Sequence, residues 1–125
     1  MSSSSPFVWL KERLVMWRYL RPEVAQSVGA LKALPFLTYE GRRLNGNSTL
    51  WRSFHFLVQG TDWVVILHDQ GKAKRPWVVF IQRTPGAVSG GRFANFQRFS
   101  QQLPTGLRTQ VEANAALFAA PNANN

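Results

Sequence analysis

Leu50-Trp51-Arg52-Ser53-Phe54-His55-Phe56-Leu57-Val58-Gln59, then Gly60-Thr61, then Asp62-Trp63-Val64-Val65-Ile66-Leu67-His68, and beyond a loop of Lys, Arg and Gly, Trp77-Val78-Val79-Phe80-Ile81-Gln82-Arg83: these runs decide the fold. β-Branched and aromatic side chains dominate them, and each has the length of a strand rather than of a helix. Short polar breaks join them, which predicts an antiparallel meander. Alternation sorts the side chains onto two faces, and both faces come out substantially apolar. One layer of helices covers one face, so the other must meet a second layer, a partner subunit or a ligand with flat apolar surfaces.

Working outward, Phe36 to Leu44 reads as a further strand, turned at Asn45-Gly46, a pair suited to the positive φ angles of a tight hairpin. Arg42 and Arg43 would sit exposed beside that turn. On the N-terminal side, Ser5-Pro6 opens a helix whose stripe is Phe7, Leu10, Leu14 and Trp17. Pro22-Glu23 opens a second, with Val24, Val28, Leu31 and Leu34 as its stripe, ended by Pro35. Gly29 within it predicts a close helix crossing or a weak helix. On the C-terminal side, Thr84 to Gly91 is loop by composition. A helix carrying Phe93, Phe96, Phe99 or Ser100, and Leu103 follows, and after Pro104 a last helix carries Leu107, Val111, Ala115 and Phe118. The fold class is therefore α+β: an antiparallel meander of three to four strands flanked by two N-terminal and two C-terminal helices. Its 125 residues fit one domain, 1–125, with flexible tails at 1–5 and 121–125.

Cysteine is absent, which removes disulfides, thiol nucleophiles and Cys-ligated metals together. No run is long and apolar enough to span a bilayer, and no secretory signal is visible, so the expected location is cytoplasmic and no membrane partner is expected. Fifteen Lys plus Arg oppose six Asp plus Glu, for a net charge of +9. That balance is the footprint of a polyanion binder. Most of the cations are arginines, whose planar forks suit phosphate and base stacking.

Enzyme signatures are missing: no Walker loop, no His-Glu-x-x-His, no Gly-x-Ser-x-Gly. His55 and His68 alone do not make a metal site, and alternation taken strand by strand puts them on opposite faces. Neither a metal nor a cofactor is expected. What remains is a sheet whose tryptophans, Trp51, Trp63 and Trp77, are interleaved with cations. Aromatic platforms in a cationic groove are how proteins hold single strands. The predicted contacts are Arg42, Arg43, Arg52, Lys72, Lys74, Arg75, Trp77, Arg83 and Arg92, in a non-catalytic single-stranded DNA- or RNA-binding protein of a phage or mobile-element accessory type. A homodimer or larger oligomer through a sheet face, as in an assembly or adaptor protein, is the other use of such a surface.

Two resemblances bear on this. The run Gly41-Arg42-Arg43-Leu44-Asn45-Gly46, followed by Leu50-Trp51-Arg52 and a strand, resembles RelE-type toxins over about thirty-five residues. That resemblance implies a ribosome-dependent mRNA nuclease, with His55, His68, Arg52 and Arg83 as the residues to test. The chain departs from the family in opening with a helix, and in carrying Val64-Val65-Ile66 where the family's third strand has arginine and tyrosine. In outline, strands followed by a helix with a basic hairpin loop also resemble the single-stranded-DNA-binding fold of transcriptional coactivators.

Overall fold

The computed structural model describes residues 21–44, 52–69, 76–84 and 91–119. The order is α1 (Pro22–Lys32), β1 (Leu37–Leu44), β2 (Arg52–Val58), β3 (Trp63–Asp69), β4 (Trp77–Arg83), β5 (Gly91–Ala94), α2 (Phe96–Gln101), α3 (Thr105–Ala113) and α4 (Ala115–Ala119). The strands form one antiparallel sheet in sequence order, β1 to β5, so the protein is α+β as expected, with one strand more than the sequence suggests. The helix expected from Phe7 to Trp17 and the Asn45-Gly46 turn lie outside the described residues.

One face of the sheet carries the core. Leu37 from β1, Phe54, Phe56 and Val58 from β2, Trp63, Val65 and Leu67 from β3, and Val78 and Phe80 from β4 join Val24, Val28 and Leu31 of α1. Phe99 of α2, Val111 of α3 and Phe118 of α4 belong to the same cluster, so every described helix buries its apolar side on this face. Its centre is aromatic. Phe80 stacks on Phe99 at 4.5 Å between centroids, and Phe118 lies 5.8 Å from Phe96 and 6.1 Å from Phe80.

Two C-terminal expectations are corrected. Gly91–Ala94 is not loop and helix but an edge strand, pairing Phe80 with Ala94 and Arg83 with Gly91. Gly91 suits this because the chains approach closely: a Cβ there would stand 2.4 Å from the Gln82 carbonyl oxygen. The helix starts only at Phe96, where Asn95 Oδ1 accepts from the Arg98 backbone N–H at 2.8 Å, a side-chain cap that satisfies an otherwise orphan donor. Phe93 is left 70% exposed rather than on a buried helical stripe. The last helix is broken at Asn114 into α3 and α4, and Pro104 is the N-cap of α3. Among the described residues, nothing lies within 4 Å of where a Cβ on Gly29 would stand.

β1 contains a bulge. Tyr39 pairs with Phe56, but the next pair along is Gly41 with His55, so Glu40 is an extra residue. Gly41 has φ +122°, a conformation costly to any residue with a Cβ.

Candidate nucleic-acid interface

The sheet's opposite face is the candidate site. Direct cross-strand partners share a face, and the register places Arg43, Ser53, His68 and Trp77 in one row across β1, β2, β3 and β4. Three strand spacings separate the ends of that row, ~14 Å. His68 and Trp77 stack, with centroids 5.1 Å apart and planes 25° from parallel. Both are half-buried, and Arg43 is exposed. The row therefore sets a guanidinium, a hydroxyl, an imidazole and an indole in sequence, with the Ser53 hydroxyl itself buried.

His55 lies in the adjoining row, and its Nε2 is 3.0 Å from Ser53 Oγ in a buried hydrogen bond. Burial lowers its pKa from 6.5 to about 4, helped by the positive charge of Arg43, His68 and Arg83 and opposed by Glu40. Burial also lowers the pKa of His68. Both imidazoles are thus held toward the neutral form. The linkage follows: between pH 6.5 and about 4 the unfolded chain takes up a proton at residue 55 that the folded chain resists. The stability contribution is whole above pH 6.5 and is lost as the pH falls through that window, by up to ~3 kcal/mol. Denaturant midpoints measured from pH 7 to pH 4 check this, because His55→Gln flattens the profile if the assignment holds.

Beyond His55 the face is apolar. Val64 and Ile66 are buried at its centre, and Leu57, Val79 and Ile81 around them are half-buried. Arg83 donates to Glu40 Oε1 at 2.7 Å. Since β1 and β4 are separated by β2 and β3, this ion pair spans the two central strands.

The expected contacts are thereby separated. Arg43 and Trp77 share the row, and Arg83 lies on the same face but is engaged by Glu40. Arg42 stands opposite Phe54 on the core face, partly buried. Arg92 stands opposite Gln82, also on the helix-bearing side. Arg52 is only 5% exposed and is the direct cross-strand partner of Asp69, itself 2% exposed, so it is an interior residue and not a surface contact. Trp63 is 3% exposed, edge-on to Phe99 at 5.3 Å, so it is core and not a platform. Lys72, Lys74, Arg75 and Trp51 lie outside the described residues.

His55 and His68 do not fall on opposite faces. The β2–β3 hairpin is centred between Gly60 and Thr61, so odd positions pair with even ones and the two histidines share a side. Alternation within single strands misses this because it lacks register; the tight Gly60-Thr61 turn was the signal that could have supplied it. Among the described residues no group of three or more His, Asp or Glu is placed to hold a metal, and no helix is long and apolar enough to cross a membrane. No family model, curated protein or solved structure matches the chain.

Proposed function

We propose that the protein binds single-stranded nucleic acid through the accessible groups on the far side of its sheet, Arg43 and the Trp77–His68 pair, without cleaving it. The carrying observation is the Arg43–Ser53–His68–Trp77 row, which puts a stacked aromatic pair and an exposed guanidinium on one line. A base stacks on the Trp77–His68 platform, and the guanidinium of Arg43 takes the backbone phosphate at the other end. The net charge of +9 supplies long-range attraction for such a ligand.

Fluorescence anisotropy with labelled single-stranded and duplex oligonucleotides across a salt series tests the reading. About five neutralised phosphates give a log–log salt slope near ~3.5 in magnitude for single strands. Trp77→Ala weakens single-strand binding roughly tenfold, in line with the ~1–3 kcal/mol of a stacked base. Affinity indifferent to salt, or unmoved by Trp77→Ala and Arg43→Ala, ends the proposal.

A second reading, phosphodiester cleavage, draws on the two histidines sharing a face with Arg43 and Arg83. The electrostatics weigh toward binding instead: burial disfavours the imidazolium form of both histidines, and that form is the one needed to protonate a leaving oxygen. Incubation with labelled RNA decides between them. Strand scission lost in His68→Ala would establish the nuclease.

A further inference from the structure

A separate cavity opens on the helix-bearing side, between the edge strand β5 and α2. Its volume is about 320 Å³, and it is lined by Trp63, Gln82, Arg92, Ala94, Arg98 and Gln102, with the exposed Phe93 also contributing to its wall. Arg92 and Arg98 are both exposed, and among the described residues neither has an ion-pair partner. Four of the described carboxylates are engaged elsewhere, Glu23 and Asp69 with Arg21, Glu40 with Arg83 and Glu112 with Ser100 at 2.9 Å, while Asp62 reaches the cavity's edge through the Gln82 amide at 3.3 Å and pairs with neither arginine. Two guanidiniums therefore border one concavity, and among the described residues no carboxylate pairs with either of them.

We propose that this cavity is a binding site for a small phosphate monoester of nucleoside-monophosphate size. Paired guanidinium forks match the oxygens of a phosphate dianion, with bidentate geometry available to each. The side-chain amide of Gln102 adds donors and an acceptor for the ester's organic part, and Gln82, whose amide nitrogen donates to Asp62, adds its carbonyl oxygen. The volume lies at the low end of small-ligand cavities, more than a bare phosphate fills. This site is independent of the row on the far face, because Arg92 and Gln82 project to the side opposite Trp77 and Arg43.

Isothermal titration with adenosine 5′-monophosphate, inorganic phosphate and adenosine tests it on the full chain. Adenosine 5′-monophosphate binds, inorganic phosphate binds more weakly, and adenosine gives no heat. Arg92→Ala and Arg98→Ala each weaken the nucleotide about tenfold or more, as expected for losing a charge-assisted pair, while Trp77→Ala leaves it unchanged. Both arginines are exposed, and circular dichroism confirms that the variants fold; Arg98→Lys, keeping the charge but losing the fork, gives partial binding. Nucleotide affinity unchanged in the Arg92→Ala, Arg98→Ala double variant overturns the proposal, as does affinity lost instead with Arg43→Ala. Oligonucleotide anisotropy in the same variants reports on the far face separately.

Discussion

Asp69→Ala is expected to cost about 3–5 kcal/mol, enough to consume much of the roughly 5–15 kcal/mol that holds a domain of this size folded. Asp69 is buried at the end of β3, accepts a hydrogen bond from Arg21 at 2.7 Å, and stands directly opposite the buried Arg52 on β2. Removing the carboxylate withdraws its negative charge from beside an interior guanidinium that the folded chain cannot return to water. The cost is that of a buried charge losing compensation, which exceeds what the intact pair contributes to stability. Arg21→Ala is milder, since its guanidinium is partly exposed and also reaches Glu23 at 3.1 Å. Urea unfolding of both variants gives the comparison. A change below ~1 kcal/mol for Asp69→Ala would show that Arg52 is solvated in solution and restore it as a candidate surface contact.

The second large effect belongs to Phe80→Ala, expected at about 3–5 kcal/mol. Phe80 is 2% exposed, and its ring meets Phe96 and Phe99 of α2 and Phe118 of α4. Truncation leaves a cavity ringed by aromatic side chains that close-packed neighbours cannot fill without shifting two helices. Phe93→Ala, on the neighbouring strand, is the control: that ring is exposed, and the change stays within about 0.5 kcal/mol. Equal losses in the two variants would mean that the exposed ring is covered in solution.

The sheet was legible in the sequence because its central strands are long, β-branched and separated by short turns, so length and composition agreed. α1 was legible for a similar reason: Pro22, Glu23 and the Val24-Val28-Leu31 stripe all point one way. β5 was not. Gly91-Arg92-Phe93-Ala94 has a glycine, an exposed aromatic and only four residues, and becomes a strand because β4 offers it an unpaired edge. That is a tertiary cause with no local signature. The candidate site divides the same way. Trp77, Arg43 and Arg83 were named from composition and stand on one face, whereas Arg52 looked like a surface cation because alternation cannot see that Asp69 would lie opposite. The Trp77–His68 stack and the Glu40–Arg83 span depend on register across strands, which the sequence reveals only through its turns.

The extra residue in β1 works as a frame shift in a two-letter code. With it, Arg43 lies opposite Ser53 and points to the far face, while Leu44 meets Arg52. A β1 that kept every residue but paired without the bulge would slide by one, trading the two adjacent arginines between sides: Arg42 would take the place beside Ser53, and Arg43 would be driven against the interior Arg52, like charge on like. One glycine with an unusual backbone angle thus decides which member of an Arg-Arg doublet is displayed, and sets the other opposite Phe54 instead of opposite a second arginine.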